Sequence, residues 1–170
     1  MRALVTGSSG FIGSHICHLI KPELTPILTY NNSPTKVQPS YVSIQLNVTN
    51  NEEVSSVIKS IMPKVIIHTA AIKSVDYCET HQDESWEINV AGTQNVARAC
   101  KKYDIKLIYI STDYVFEGTR GMYKETDETH PTTFYGKTKL AGEQFITQLL
   151  AVSYTHLRAH ETSLHLVCRL

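Results

Sequence analysis

Tyr135 and Lys139 are the two side chains of this chain whose spacing most directly suggests acid–base chemistry. One helical turn separates them, and apolar residues continue the helical pattern beyond them, so both side chains fall on the same helix face. A free phenol has a pKa near ~10 and is a slow acid–base catalyst at neutral pH. A neighbouring ammonium favours the phenolate. The pair can therefore move a proton at physiological pH.

Thr112 is the third candidate, because it follows a predicted strand within Ser111-Thr112-Asp113. Its hydroxyl can donate a hydrogen bond to a substrate oxygen while Tyr135 transfers the proton, and Lys139 can also hold the ribose of a nicotinamide. This set of three side chains suits hydride transfer to or from a carbonyl group. A Tyr-x-x-x-Lys spacing alone occurs by chance in many helices, so the prediction depends on a second motif near the N-terminus.

That second motif is a glycine-rich turn between a short apolar strand and an amphipathic helix. Gly7 permits a tight turn, Gly10 lets a pyrophosphate lie against bare backbone, and Gly13 lets the helix pack closely on the strand. Phe11 and Ile12 open the helix, whose free N–H groups and positive dipole attract phosphate. The turn predicts a dinucleotide site, and the alternative is an ordinary strand-to-helix turn.

The rest of the pattern alternates strands with helices, which predicts an α/β fold with a doubly wound parallel sheet. Right-handed crossovers give the strand order 3-2-1-4-5. After the first strand and helix, the predicted strands are Pro26–Tyr30, Tyr41–Leu46, Lys64–His68 and Lys106–Ile110, and the predicted helices are Asn51–Ile61, Gln82–Lys102 and one starting at Tyr135.

Residues at the carboxyl ends of these strands are candidates to contact a cofactor, since ligands bind at that edge of such sheets. The second strand ends in Asn31-Asn32-Ser33 without a carboxylate to repel a 2′-phosphate, so NADPH is expected over NADH, although no arginine stands there to bind that phosphate. Ala70 and Ala71 are small enough to let the cofactor come close. His68 is either functional or simply packed.

Composition narrows the class of protein. The chain has 170 residues, 42% of them hydrophobic, and a formal net charge of +0, so neither nucleic acid nor a membrane surface is expected as a partner. The first strand begins at once, which leaves no room for a signal peptide and favours a cytoplasmic location. The four cysteines are widely separated, so no metal site is expected, and Cys17 and Cys100 are expected to pack as small hydrophobic residues.

Taken together, these motifs resemble the extended short-chain dehydrogenase/reductases, and among them the dTDP-4-dehydrorhamnose reductases. The resemblance covers residues 1 to about 150, and its most specific part runs from Ser111 to Glu143. The strings that carry it are the glycine turn, His68-Thr-Ala-Ala71, Val75-Asp-Tyr-Cys-Glu79, Asn89-Val-Ala-Gly-Thr-Gln-Asn95, Ser111-Thr-Asp-Tyr-Val-Phe116, Gly118, Tyr123, Glu125, Asp127, Pro131 and Tyr135-Gly-Lys-Thr-Lys-Leu-Ala-Gly-Glu143.

The resemblance implies an NAD(P)H-dependent reductase that acts on the keto group of a nucleotide-linked 4-keto-6-deoxy sugar. In that family the residues matching Thr112, Tyr135 and Lys139 form the catalytic triad, and the full-length parent is expected to bind the sugar in a C-terminal lobe and to form a homodimer. Asn47 and Val48 stand where relatives usually carry an aspartate against the adenine, which would weaken cofactor binding.

Two other functions stay open. Gly10-Phe-Ile-Gly13-Ser-His15 resembles the turn of sugar-nucleotide epimerases and dehydratases, which recycle a tightly held NAD. The family also resembles the non-catalytic regulatory subunit of methionine adenosyltransferase. The complete set of Thr112, Tyr135 and Lys139 favours an enzyme.

The last segment, residues 152–170, resembles a translated sequencing adapter rather than a domain. Val152 to Thr162 matches one reading frame of a transposase-type adapter, and His165–Leu170 resembles its far end. Two structural alternatives are a metal pair at His156 and His160 and a sixth strand at Leu164–Leu170. We expect a Rossmann domain at residues 1–151 that is truncated after the Tyr135 helix, an artefactual tail, no substrate lobe and no turnover by this fragment.

Overall fold

A single parallel sheet of six strands, in the order β3-β2-β1-β4-β5-β6, organises the computed structural model. Residues 1–20, 23–34, 41–124 and 126–150 are described in full, and residues 154–159 by their backbone. The strands are β1 (Arg2–Thr6), β2 (Thr25–Tyr30), β3 (Val42–Gln45), β4 (Val65–His68), β5 (Lys106–Thr112) and β6 (Tyr154–Ala159). The helices are α1 (Phe11–Leu19), α2 (Asn51–Ile61), α3 (Val75–Thr80), α4 (Gln82–Trp86), α5 (Gly92–Tyr103) and α6 (Phe134–Leu149).

The central strand β1 shows why the sheet is parallel and buried. Ala3, Leu4 and Val5 are fully buried, as expected for a strand covered on both faces. Leu4 pairs in register with Ile27 of β2 and with Ile66 of β4. The doubly wound sheet and its order 3-2-1-4-5 are therefore confirmed, and the carboxyl ends of these strands meet at one edge.

Helices cover both faces of the sheet. Successive residues of a strand point to opposite faces, so each strand contributes side chains to both layers of the core. Leu4 belongs to the larger core, which α2, α5 and α6 complete with the buried Ile58, Val96 and Ile146. Val5 faces a smaller core with Leu28 and Cys17, the latter from α1. Cys17 and Cys100 are both buried, which confirms that they pack as hydrophobic residues.

The predicted continuous helix from Gln82 to Lys102 is wrong in one respect. A π-helical turn at Glu87–Ala91 separates α4 from α5. Asn89, in this turn, is buried, and its side chain bonds the backbone of Ile72 in both directions. A π turn inserts one residue into the helical repeat. The apolar periodicity on either side gives no signal of that insertion.

A sixth strand adjoins the five that the sequence predicts. Tyr154–Ala159 forms β6 and pairs in parallel with β5, with Tyr154 opposite Leu107. An edge strand presents unpaired N–H and C=O groups to any extended segment, and aromatic and β-branched residues such as Tyr154 and Thr155 favour that conformation. Because edge pairing does not depend on where a segment comes from, the artefactual origin of residues 152–170 stays a prediction.

The other two interpretations of the tail were a strand at Leu164–Leu170 and a metal pair at His156 and His160. Residues 164–170 and the side chains of His156 and His160 lie outside the described part of the structure. Across the described part of the chain, the helices are all too short or too polar to cross a membrane.

Candidate functional site

The turn from β1 to α1 has room only for glycine at two positions. Gly7 has a φ of 67°, and a Cβ added there would lie 2.7 Å from both the Cα and the N of Ala70. A Cβ at Gly13 would overlap the carbonyl oxygen of Gly7 and lie 2.8 Å from the Cα of Ser8. These contacts bring the turn, the start of α1 and the segment after β4 together at the carboxyl edge of the sheet.

Gly10 is less crowded than those two glycines. A Cβ added there would meet only the Gly7 carbonyl oxygen, at 3.2 Å. Gly10 is the N-cap of α1 and supplies no side-chain cap, so side-chain capping does not occupy the first N–H groups of the helix. Phe11 and Ile12 are exposed beside it. The turn thus offers bare backbone and a helix dipole to an anion, which is what a dinucleotide pyrophosphate requires.

Asn31 lies at the end of β2, on the same edge. Its carbonyl oxygen accepts a hydrogen bond of 2.9 Å from Gln45 Nε2, and its side chain is exposed. Ser8 ties the glycine turn to β2 through a 2.8 Å bond from its hydroxyl to the carbonyl oxygen of Thr29. The segment from residue 31 to 34 presents no carboxylate.

Asn47 and Val48 follow β3, and their side chains make contacts within the protein. Asn47 Oδ1 accepts bonds of 3.0 Å from both the backbone N and the hydroxyl of Thr49. Val48 is buried, and its Cγ2 lies 2.8 Å from the position a Cβ of Gly92 would take. Their contact with an adenine stays a prediction.

His68 is packed inside the protein, which agrees with the second of its two predicted roles. Its Nδ1 lies 2.6 Å from the Thr6 hydroxyl, its Nε2 lies 3.1 Å from the Thr93 hydroxyl, and the ring is 1% exposed. Burial, and secondarily the positive charge of Lys139, lower the pKa of His68 from 6.5 to about 3. The imidazole is therefore neutral at physiological pH. Ala70 and Ala71, which follow His68 closely, are half-buried beside the glycine turn.

Tyr135 lies in the first turn of α6. Thr133 caps the helix, with its hydroxyl accepting a 3.0 Å bond from the backbone N of Gly136. Gly136 has no room for a Cβ, because the carbonyl oxygen of Tyr114 occupies that space. The ring of Tyr114 meets that of Tyr135 edge-on at 5.8 Å between centroids. This packing fixes Tyr135, which is 7% exposed, against the segment that follows β5.

Thr112 is the last residue of β5 and caps the 3₁₀ turn at Asp113–Val115. Its hydroxyl accepts a 3.4 Å bond from the backbone N of Tyr114 and donates a 3.3 Å bond to Asp113 Oδ1. Tyr114 therefore touches both Thr112, through its backbone, and Tyr135, through its ring. The structure brings these two predicted residues together around one short turn.

Lys139 is buried one helical turn beyond Tyr135, with 5% of its surface exposed. Burial lowers its pKa from 10.5 to about 7, and the carboxylate of Glu143 acts in the opposite direction. Glu143 lies one further turn along α6 and is also buried. A lysine in this environment is charged below neutral pH and loses its proton just above it.

Asn89 is a positioning residue that the sequence reasoning did not single out. Besides its two bonds to Ile72, its Nδ2 donates a 3.0 Å bond to the Thr138 hydroxyl, which in turn donates a 2.7 Å bond to the carbonyl oxygen of Tyr135. Asn89 thus links the segment after β4 to the helix turn between Tyr135 and Lys139. Its place in Asn89-Val-Ala-Gly was part of the family resemblance, but only the π turn reveals this role.

The assembled edge of the sheet combines two capabilities. Gly7, Gly10 and Gly13 form a turn whose backbone could receive a pyrophosphate, and Tyr135 and Lys139 are both buried one helical turn apart on α6; their role as an acid–base pair stays a prediction. Among the residues whose side chains are described, no group of three His, Cys, Asp or Glu residues is placed to hold a metal ion.

Comparison with known proteins gives a consistent result. A family model described as RmlD substrate binding domain matches residues 1–159. A dTDP-4-dehydrorhamnose reductase from Aggregatibacter actinomycetemcomitans is 37% identical over 149 residues, covering 87% of this chain. Methionine adenosyltransferase 2 subunit beta from Xenopus laevis is 35% identical over 147 residues, covering 86% of this chain.

Solved structures agree with the fold. A dTDP-4-dehydrorhamnose reductase from Bacillus anthracis, in complex with NADP, superposes with a TM-score of 0.79 at 35% identity over 92% of this chain. A UDP-glucose 4-epimerase from Thermus thermophilus, in complex with NAD, superposes with a TM-score of 0.83 at 28% identity over 93% of this chain.

The chain spans about half the length of these relatives: 47% of the Aggregatibacter reductase, 43% of the Xenopus subunit, and 52% and 54% of the two solved chains. This chain contains the glycine turn, the Tyr-x-x-x-Lys helix and the parallel sheet described above. Because the family model matches nearly the whole chain, the protein belongs to the RmlD substrate binding domain family.

Proposed function

We propose that the intact protein reduces the keto group of a nucleotide-linked 4-keto-6-deoxy sugar with a reduced nicotinamide cofactor. The observation that carries the proposal is the burial of both Tyr135 and Lys139 one helical turn apart on α6, with Tyr114 contacting both Tyr135 and Thr112. A relative named dTDP-4-dehydrorhamnose reductase, at 37% identity, supports the class of substrate.

In this proposal each of the three side chains has one task. Thr112 turns its hydroxyl hydrogen, which bonds Asp113 Oδ1 in the free protein, to the substrate carbonyl oxygen, and Tyr135 gives that oxygen its phenolic proton. The ammonium of Lys139 stabilises the phenolate that Tyr135 becomes, since an opposite charge nearby lowers the pKa of a phenol. The bound cofactor supplies the hydride. Positioned proton transfer of this kind contributes roughly 10²–10⁴-fold to a rate.

The cofactor is proposed to lie along the carboxyl edge of the sheet. Gly10 and the first turn of α1, including Phe11 and Ile12, receive the pyrophosphate, and Ala70 and Ala71 leave space beside it. Asn31 lies near the adenosine ribose, where no carboxylate opposes a 2′-phosphate. The relative solved in complex with NADP supports a phosphorylated cofactor.

A sugar-nucleotide epimerase is the second candidate, supported by the likeness to the Thermus UDP-glucose 4-epimerase. The two functions differ in how they use the cofactor. A reductase oxidises one NADPH for each sugar, whereas an epimerase recycles the cofactor that it holds. A turnover assay of the intact protein with a dTDP-4-keto-6-deoxy sugar, followed by NADPH absorbance, separates them. Sugar conversion without NADPH loss would replace reduction with epimerisation.

A regulatory subunit is the third candidate, supported by the 35% identity to methionine adenosyltransferase 2 subunit beta. A subunit of that kind would bind an enzyme partner stoichiometrically and turn over no keto sugar. Affinity purification of the intact protein, combined with the same assay, distinguishes the two cases. We expect turnover and, from sedimentation of the purified protein, a homodimer.

We further propose that the Rossmann domain ends at residue 151 and that residues 152–170 are foreign to the natural protein. The resemblance of Val152–Thr162 to a translated adapter supports this. Sequencing the source DNA with adapter-free long reads across the codons for Leu150 and Val152 provides the test. We expect the natural reading frame to diverge there and continue into a substrate lobe; a contiguous genomic tail would refute the proposal.

A further inference from the structure

The aromatic ring of Tyr109 lies directly under the ammonium of Lys139. Lys139 Nζ is 4.1 Å from the ring centroid, well within the distance of about 6 Å at which a ring attracts a cation. Tyr109 belongs to β5, three residues before Thr112, and is fully buried. Its hydroxyl also donates a 3.4 Å bond to the backbone carbonyl oxygen of Lys139. One side chain of the sheet thus contacts both ends of this residue.

Close packing holds the Tyr109 ring in one orientation. A Cβ added at Gly142 would lie 2.6 Å from the Tyr109 hydroxyl and 3.1 Å from its Cζ, so α6 lies against the edge of the ring. On the other side, the His68 ring is nearly parallel to it, with centroids 5.9 Å apart and an interplanar angle of 24°. The ring therefore cannot turn away from Lys139 without moving α6 or β4.

The charges around the ammonium come from three elements. Glu143 on α6 contributes a carboxylate that favours the charged lysine, and Tyr135 lies one helical turn before Lys139 on the same helix. His68 on β4 is held neutral, so it adds no second cation. Burial raises the pKa of the Tyr109 phenol well above its usual range, so β5 presents a neutral ring and not a phenolate. The face of that ring is the negative end of its quadrupole.

We propose that Tyr109 is a positioning residue for the reaction: its ring holds the Lys139 ammonium at the Tyr135 side of α6 and favours the charged form of the lysine. This inference rests on the proposed reductase function for its meaning in catalysis. The ring of Tyr109, and not its hydroxyl, is the group that is proposed to act on Lys139.

The test separates the ring from the hydroxyl by replacing Tyr109 with Phe, Leu or Met in the intact protein. The Lys139 amine is titrated by NMR in protein labelled with ¹⁵N-lysine, and a Lys139→Met variant identifies its signal. Tyr109→Phe keeps the ring, so we expect the Lys139 pKa to match wild type. Tyr109→Leu removes the ring, and we expect that pKa to fall by about one pH unit. Tyr109→Met serves if the leucine variant does not fold.

Activity gives a second readout that a merely structural role would not produce. We expect kcat at pH 7 to fall about tenfold in the leucine or methionine variant, with KM nearly unchanged and full rescue by phenylalanine. Equal Lys139 pKa values in all variants, or an equal fall in the phenylalanine and leucine variants, would overturn the inference alone. Absence of keto-sugar reduction by the wild-type protein would instead overturn the proposed function.

Discussion

His68 illustrates how burial decides between a catalytic and a packed histidine. Both ring nitrogens already have hydroxyl partners, Thr6 and Thr93, and the ring is almost fully buried. An imidazole with a pKa of about 3 cannot exchange a proton with substrate near neutral pH. The histidine therefore connects β1, β4 and α5, and its protonation affects the stability of the fold.

We predict that His68 makes the fold sensitive to acid. The unfolded chain protonates this histidine below about pH 6.5, whereas the folded protein does not do so until about pH 3. The free energy of unfolding should therefore fall as pH drops from 6.5 to 3, by about 1.4 kcal/mol for each unit by which the pKa is lowered.

Urea denaturation at several pH values measures this effect. A His68→Gln variant should lose less stability than wild type between pH 7 and pH 4, and His18→Gln, at an exposed position on α1, should behave like wild type. A parallel loss of stability in wild type and His68→Gln would refute the prediction.

Lys139 leads to a prediction about the pH dependence of the reaction. The proposed reduction requires the Lys139 ammonium, and a pKa of about 7 means that this charge is lost as pH rises through neutrality. The value of kcat/KM for the keto sugar should therefore fall above about pH 7, because this parameter reports the pKa values of the free enzyme.

Substitution of the neighbouring carboxylate tests that pH profile. Glu143 raises the pKa of Lys139, so Glu143→Gln should move the inflection to lower pH, while Glu117→Gln on the exposed loop should not. An inflection that stays in place in Glu143→Gln would mean that another group governs the profile.

Among the elements, the β1–α1 turn contains three glycines, and two of them are more crowded than the third. Gly7 and Gly13 have no room for a Cβ, whereas a Cβ at Gly10 would meet only the Gly7 carbonyl oxygen, at 3.2 Å. We predict that Gly13→Ala displaces α1, since its Cβ would meet backbone atoms of the turn. The expected cost is roughly 1–3 kcal/mol of unfolding free energy, together with weaker NADPH binding.

Gly121→Ala is the matched control for that substitution, because a Cβ at Gly121 meets no atom within 4 Å. Thermal denaturation and fluorescence titration with NADPH measure the two effects. Unchanged stability and affinity in Gly13→Ala would show that the turn tolerates a side chain there.

The elements show what sequence patterns can predict. Apolar runs predicted five strands, because burial on a parallel sheet imposes that pattern directly. The right-handed crossover rule predicted their order, and the four-residue spacing on a helix predicted that Tyr135 and Lys139 share a face. The π turn at Glu87–Ala91 escaped prediction because it depends on polar contacts of Asn89 with residues distant in sequence. The contact between Lys139 and Tyr109 escaped for the same reason, since it joins α6 to β5.

For the whole molecule, the predicted choice of cofactor depends on the residues at the end of β2. We predict that the intact protein binds NADPH more tightly than NADH, because the end of β2 from Asn31 to Ser33 has no carboxylate to repel a 2′-phosphate. Introducing that repulsion with Asn31→Asp should shift the preference towards NADH, while Asn51→Asp on α2 should not. Tighter binding of NADH by the wild-type protein in a fluorescence titration would refute this.

If the intact protein transfers a hydride with Tyr135 as the proton donor, the rate of reduction depends on the phenolic oxygen of that residue. Tyr135→Phe removes only the phenolic oxygen, and Tyr103→Phe removes the same atom from α5, where that hydroxyl bonds Ser55. NADPH oxidation is followed with a dTDP-4-keto-6-deoxy sugar in the intact protein, and NADPH affinity is measured in parallel. We predict that Tyr135→Phe loses roughly 10²–10⁴-fold in kcat with nearly unchanged cofactor affinity, while Tyr103→Phe matches wild type. Activity of Tyr135→Phe within a few-fold of wild type would contradict the account.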